Sequence, residues 1–404
     1  MDITVLPDAL VERGQDGGRI FLVVMDGVGG LPHPESGQTE LEAAQTPHLD
    51  ALAARSSLGM LLPVGPGITP GSGPGHLSLF GYDPVANQIG RGALSALGVG
   101  FDLQPGDVAV RLNLATLDGD GRVTDRRAGR PTDEEGRRVV EKVRTALAEV
   151  DEVELFIEHV KEHRAVLVFR GPGLSADFAD TDPQETGVPP APVTPLTPAA
   201  SEVAGLIERV LARIGVAMAD ETVINGVLAR GFAMFEGFPT LEERFGLRAL
   251  AVAQYPMYRG VARLVGMDVK DVPGSEDETV AFVEARHGGY DFVFAHFKAP
   301  DARGEDGDFA AKVAAIERID ALIPRFTALE PDVLIVTGDH STPAGYGAHS
   351  WHAVPVLLAS RWGRPTAASF GEAACRGGDL GRFEGKHLMS LALANAGRLA
   401  KFGA

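Results

Sequence analysis

Ile20-Phe21-Leu22-Val23-Val24-Met25 runs apolar and unbroken into Asp26-Gly27. Residues of this kind, without polar alternation, make a strand covered on both faces. The pattern recurs. Phe292-Val293-Phe294-Ala295 precedes Lys298 and Asp301. Val333-Leu334-Ile335-Val336 ends at Thr337-Gly338-Asp339-His340, and Val354-Pro355-Val356-Leu357-Leu358 follows His349. These runs predict a mostly parallel α/β sheet flanked by helices. Charged residues at the carboxyl ends of such strands face one crevice.

The rest of the chain fills in the architecture. Thr46-Pro47 opens a helix with Leu49, Leu52 and Ala53 on its apolar face. From Val99 to Gly215 the character changes. Short strands at Val108–Arg111 and Ala165–Phe169 alternate with turns such as Asp118-Gly119-Asp120-Gly121. A helix follows Thr132, with Val139, Val143 and Leu147 on one stripe, and a second runs near Ser201 to Ile214. Gly187-Val188-Pro189-Pro190-Ala191-Pro192-Val193-Thr194-Pro195 reads as a stiff extended segment. Beyond Thr222 strand–helix alternation resumes, and the helix after Asp308 carries Val313, Ile316, Ile319 and Ile323. The expected organisation is a core of residues 1–98 and 216–404 with a smaller α+β domain, 99–215, inserted into it.

Composition narrows the function. With 404 residues, 45% of them hydrophobic, the chain can bury a large core. No apolar run approaches the roughly 20 residues that span a bilayer. The start, Met1-Asp2-Ile3-Thr4-Val5, lacks the basic region and long apolar stretch of a secretory signal. The single cysteine, Cys375, excludes an internal disulfide and suits a reducing cytoplasm. A net charge of −18 argues against nucleic-acid binding, which needs clustered cations. It does not exclude an anionic small molecule, because close charges outweigh screened distant ones.

Five short segments carry chemistry together: Asp26-Gly27, Gly71-Ser72-Gly73, Asp301 with Glu305, Asp339-His340, and His349. Carboxylates and imidazoles beside one hydroxyl are what two divalent metals and a nucleophile require. Each piece alone has an ordinary reading, such as a strand-end turn or an acidic loop before the helix at Asp308. The loop from Gly65 to His76 is rigid, rich in Gly and Pro, and has no lysine in the phosphate-loop position. A divalent cation beside Ser72 would replace a histidine base by lowering the hydroxyl pKa. Arg126, Arg127, Arg130, His163, Arg164, Arg259 and Lys298 are candidates for holding an anion, arginine by its planar fork.

These segments resemble the archaeal-type 2,3-bisphosphoglycerate-independent phosphoglycerate mutases of the alkaline phosphatase superfamily. The resemblance is carried by Met25-Asp26-Gly27-Val28-Gly29, Pro70-Gly71-Ser72 through Pro84, Gly90-Arg91-Gly92 and Asp125 through Arg130. It continues through Asp180-Thr181-Asp182-Pro183, Tyr258 to Met267, Lys298 to Asp308 and Thr337 to Val356. It implies an alkaline-phosphatase-like core, with one metal on Asp26, Ser72, Asp339 and His340. The other metal falls to Asp301, His349 and the residue four after Asp301. There the family usually has histidine, and this chain has Glu305. A carboxylate favours Mn2+ or Mg2+ over Zn2+ or Co2+. After Ser72 many relatives have Asp-Thr where this chain has Gly73-Pro74.

The implied reaction interconverts 3-phosphoglycerate and 2-phosphoglycerate in glycolysis and gluconeogenesis, through a phosphoserine at Ser72 and without bisphosphoglycerate. The insert is expected to carry much of the arginine set and to act as a lid that keeps water from the phosphoserine. Asp182 is a candidate for moving the glycerate protons. The alternatives are a metal-dependent phosphatase or other phosphomutase of the superfamily, or a non-catalytic phospho-ligand binder.

Overall fold

The strands that organise the computed structural model follow the apolar runs. The structure describes residues 6, 10–12, 17–87, 89–148, 153–270 and 274–403. The secretory-signal reading of residues 1–5 therefore lies outside the described residues. In chain order, β1 (Ile20–Met25) and β2 (Ser57–Leu62) come first. Then follow β3 (Val108–Leu117), β4 (Val123–Asp125), β5 (Glu154–Lys161), β6 (Arg164–Arg170) and β7 (Gly226–Met234). The last group is β8 (Ala249–Val252), β9 (Asp268–Val269), β10 (Phe292–Phe297), β11 (Val333–Thr337), β12 (Val354–Ser360) and β13 (Gly381–Glu384).

The chain divides into two units, one of Met1–Gln88 with Pro239–Ala404, the other of Ile89–Phe238. The second is wider than the 99–215 read from sequence. The helix Arg91–Gly98 packs on β3 and β7, and β7 pairs with β3, so both belong with that sheet.

In the first unit the sheet order is β13-β2-β12-β11-β1-β10-β8-β9. β1 is parallel to β10 and β11, and β10 is parallel to β8. Every residue of β1, β10 and β11 is buried, as unbroken apolar runs require. The expectation that Val354–Leu358 is parallel too is corrected: β12 runs antiparallel to both β11 and β2. A continuous apolar run reports burial on two faces, and β12 has that burial in either direction. The reversal matters for the site. The carboxyl ends of β1, β2, β10 and β11 and the amino end of β12 share one edge of the sheet. The segments bearing Asp26, Ser72, Asp301, Asp339 and His349 all leave from that edge.

The second unit is an antiparallel sheet in the order β4-β3-β6-β5, with β7 also on β3. Val110, Leu112 and Leu114 face two helices, Asp133–Leu147 and Pro198–Met218. Thr132 and Glu135 form a full capping box on the first. The second begins earlier than Ser201 because Thr197 caps it and Pro198 fits its first turn. Thr46 occupies an N-cap position but makes no side-chain cap bond. Ile323 falls in a separate short helix, Ile323–Thr327, after Phe309–Asp320 ends. The proline-rich segment is pinned by backbone bonds from Gly187 to Val123 and from Ala191 to Thr181.

Among the described residues no helix is long and apolar enough to cross a membrane.

Candidate active site

Ser72 is the first residue of the helix Ser72–Leu79, and no side chain caps that helix end. Gly75 lets this helix approach closely: a Cβ there would stand 2.4 Å from the Asp339 carbonyl oxygen. The Ser72 hydroxyl lies 3.3 Å from His340 Nε2. Asp26 Oδ1 and Asp339 Oδ2 each lie 3.3 Å from the same nitrogen. Asp26, Asp339 and His340 are fully buried, and these two carboxylate oxygens have no hydrogen-bond partner among the described residues.

The tautomer of His340 follows from its other nitrogen. The Thr342 hydroxyl is 2.6 Å from Asp301 Oδ1, an acceptor, so it donates there. It must then accept from His340 Nδ1–H, 2.9 Å away. This leaves a lone pair on Nε2, aimed at two carboxylate oxygens. His349 repeats the arrangement. Its Nδ1 stands 3.0 Å from the Pro70 carbonyl and must donate to it. Its Nε2 lone pair then faces Asp301 Oδ1 at 3.6 Å and Glu305 Oε1 at 3.7 Å.

Lone pairs and carboxylates repel one another unless a cation lies between them. Ligand atoms on one divalent ion, at bond lengths near 2.1 Å, stand roughly 3 to 4 Å apart. The residues present fit such ions in two groups. One is Asp26, Asp339 and His340, with Ser72 beside it. The other is Asp301, His340 and His349. Glu305 stands at the rim of the second group, its side chain 54% exposed, within reach of the same space as His349.

Electrostatics reflect this crowding. Burial, then the Asp26 charge, push Asp339 up to about 6. Burial also opposes ionisation of Asp26, but the His296 hydrogen bond and the charges around it hold its carboxyl well below the usual range. Burial drives His340 well down, so it is neutral as a ligand requires. Lys298, read from sequence as an anion binder, sits among these acids. Its amine is 3.1 Å from Asp26 Oδ2, 2.8 Å from the Tyr258 hydroxyl, and bonded to Asp301. Arg259 lies on the helix Pro256–Leu264 next to Tyr258.

The second unit holds the other basic residues. Arg126 makes a two-pronged bond with Asp182, each arm 2.8 Å. Asp182 also meets Arg230 at 3.2 Å. Burial opposes its ionisation, but Arg126 and Arg230 prevail and keep the carboxyl below its ordinary range. Ionised at neutral pH, it is able to accept a proton. Arg127 and Arg130 are exposed on the turn after β4. His163 is buried, and burial followed by Arg164 pushes it down to about 4.

Pairing register reveals a further basic face. Arg111 on β3 stands opposite Arg230 on β7, and Asn113 opposite Arg164 on β6. Cross-strand partners, and residues two apart on one strand, share a face. Burial, then Arg91, Arg230 and Arg164, push Arg111 down to about 10. Arg111 Nε and Asn113 Oδ1 have no hydrogen-bond partner among the described residues. Like charges set opposite each other are unfavourable without an anion.

A family model described as 2,3-bisphosphoglycerate-independent phosphoglycerate mutase matches residues 53–224. A Thermus thermophilus protein described as a probable enzyme of that kind is 50% identical over 390 residues, 96% of each chain. One from Deinococcus radiodurans is 51% identical over 393 residues, again 96% of each chain. The chain belongs to the 2,3-bisphosphoglycerate-independent phosphoglycerate mutase family. It is an isomerase of that class. A solved structure of a Pyrococcus horikoshii protein matches it with a TM-score of 0.82 at 30% identity, covering 96% of this chain and 100% of the other. The cofactor-independent phosphoglycerate mutase of Thermoplasma acidophilum matches with a TM-score of 0.74 at 28% identity, covering 94% and 100%.

Several residues of this candidate site were not singled out by sequence reasoning. His76 is buried, its Nδ1 2.8 Å from the Ser72 carbonyl and 3.2 Å from Asp339 Oδ2. A signal existed, because residues four apart on a helix share a face. Tyr258 donates to Asp26 Oδ2 at 2.5 Å, and His296 stands 3.2 Å from the same oxygen. His296 is hidden inside an apolar strand run, where a buried polar residue leaves no periodic mark. Thr342 reads in sequence as part of a turn.

Proposed function

We propose that the chain interconverts 3-phosphoglycerate and 2-phosphoglycerate through a phosphoserine at Ser72, with two divalent metal ions and no bisphosphoglycerate. The observation that supports this most is the His340 Nε2 lone pair, 3.3 Å from the Ser72 hydroxyl and 3.3 Å from each of two buried carboxylate oxygens, of Asp26 and Asp339, that have no hydrogen-bond partner among the described residues.

Asp26, Ser72, Asp339 and His340 would hold one ion, and Asp301, His349 and Glu305 the other. Bound divalent ions lower the pKa of a coordinated hydroxyl and offset charge on a transferring phosphoryl group. Oxygen ligands outnumber nitrogen here, which favours Mn2+ or Mg2+ over Zn2+ or Co2+.

Ser72 Oγ, its proton lost, attacks phosphorus; the bond from phosphorus to the substrate's ester oxygen breaks, and that oxygen takes up a proton to become a hydroxyl. Glycerate's other hydroxyl then gives up its proton and attacks the phosphoserine, and the bond from phosphorus to Ser72 Oγ breaks. The N-terminus of the helix Ser72–Leu79 directs its dipole at the phosphoryl oxygens. The Lys298 ammonium offsets the nearby carboxylates. The planar fork of arginine is suited to the anionic groups of a phosphoglycerate, and Arg127, Arg130, Arg164 and Arg259 are the candidates for that role.

The test is ³¹P NMR of 3-phosphoglycerate with protein and Mn2+, without bisphosphoglycerate. The 2-phosphoglycerate resonance should grow with the wild type and be absent with Ser72→Ala of native circular dichroism. Growth of inorganic phosphate instead would favour a phosphatase. Turnover by Ser72→Ala would remove the phosphoserine.

A further inference from the structure

A lysine that takes no part in this chemistry lies fully buried beneath the ligands. Lys312 is in the first turn of the helix Phe309–Asp320, whose cap Asp308 accepts from Ala311 N at 2.9 Å. Its relative exposure is 0%. Its ammonium donates to the Gly29 carbonyl at 3.1 Å and to the Thr342 carbonyl at 2.8 Å. Glu40, also fully buried, stands 3.9 Å away and accepts from Ala344 N at 2.6 Å. Glu372 accepts from Gly30 N at 2.9 Å and from the Thr39 hydroxyl at 2.5 Å.

Removing an ammonium from water is expensive, and an apolar side chain of similar volume often serves stability as well. What distinguishes Lys312 is where its two carbonyls lie. Gly29 closes the turn after Asp26, and its carbonyl also accepts from Thr342 N at 3.1 Å. Thr342 follows Asp339 and His340, and its hydroxyl joins His340 to Asp301. The helix Ala299–Glu305, bearing Asp301, rests on the same Thr342 carbonyl. A Cβ at Gly304 would stand 2.1 Å from that oxygen. The ammonium therefore joins the segments carrying Asp26 and Asp339–His340, and the helix carrying Asp301 rests on one of the carbonyls it binds.

We infer that Lys312 is a positioning residue, whose ammonium holds these three segments in register and so sets the affinity of the site for divalent metal. The inference rests on the metal-binding reading above. Groups that orient ligands without touching metal change affinity about 10- to 100-fold when removed.

The experiment is Mn2+ titration of the apo wild type and Lys312→Met, read as free Mn2+ by electron paramagnetic resonance. Circular dichroism and thermal melts of the apo proteins check the fold. The expected result is a folded variant that binds Mn2+ at least tenfold more weakly. A folded variant with a Kd within twofold of wild type overturns the inference. If Lys312→Met does not fold, Lys312→Met with Glu40→Gln removes the stranded buried charge and takes the same measurement. Failure of both to fold assigns Lys312 to stability alone and also overturns the inference. Absence of Mn2+ binding by the wild type would sink the metal reading itself, a separate outcome.

Discussion

Replacing Thr342 by valine tests the tautomer argument at its centre. Valine keeps the shape of threonine and removes only the hydroxyl. That hydroxyl bridges Asp301 Oδ1 at 2.6 Å and His340 Nδ1 at 2.9 Å, in a wholly buried setting. Its loss strands two polar groups, each at a desolvation penalty of about 1–3 kcal/mol. Part of that penalty is relieved if His340 moves its proton to Nε2, which then no longer offers a lone pair to Asp26 and Asp339. Metal affinity should fall about 10- to 100-fold, equivalent to roughly 1.4–2.7 kcal/mol. Thr342→Ser keeps the hydroxyl and should stay within a few-fold of wild type. The assay is isothermal titration of apo protein with Mn2+, paired with phosphoglycerate turnover at saturating Mn2+. If folded Thr342→Val binds Mn2+ as the wild type does, His340 is not fixed through Thr342 and the reasoning fails.

Two further expectations concern buried and rim carboxylates. Burial pushes Glu372 up from 4.5 to about 6. A carboxyl raised in the folded state holds its proton longer there, so the contribution of Glu372 to stability is most favourable below about pH 4.5 and is lost as pH rises through 6. The decline is about 2 kcal/mol at about 1.36 kcal/mol per unit. Glu372→Gln should therefore gain about that much relative to wild type between pH 4.5 and 7, measured by urea unfolding, and a flat difference would refute it. Glu305→His, placing imidazole beside His349, should shift metal preference from Mn2+ towards Zn2+ or Co2+ in competition titrations. Unaltered preference and stoichiometry in this variant and in Glu305→Ala would remove Glu305 from the ligand set.

The sheet was legible because two-faced burial leaves an unbroken apolar run, as in β1, β10 and β11. Direction was not legible for β12, since burial is the same whichever way a strand points. Charged residues at strand ends could be read because an acid or imidazole just past an apolar run has few structural reasons to be there. Their orienting partners could not. The Pro70 carbonyl that fixes His349 is backbone and has no sequence signature. Thr342 is one hydroxyl in a turn. The basic face of the second unit was hidden for a topological reason: Arg111 and Arg230 become neighbours only when β3 pairs with β7. Arg126 shows the converse. It reads as an available cation in sequence, and folding commits it to Asp182.

Charge links the candidate site to the reaction proposed for it. Asp26, Asp301 and Asp339 are wholly buried, Glu305 stands at the rim, and Lys298 is the cation bonded among them. His340 is neutral by burial. Left so, the group is anionic inside a chain already at −18, and it repels a phosphorylated carboxylate. Two divalent ions would reverse the local sign, because their charges would lie within a few ångströms while the distant surface charge is screened. The same ions that activate Ser72 would then also admit the substrate to an acid-rich crevice. Phosphoglycerate affinity should therefore depend on metal before any phosphoryl transfer takes place. A histidine base beside Ser72 could replace the first role of the ions but not the second.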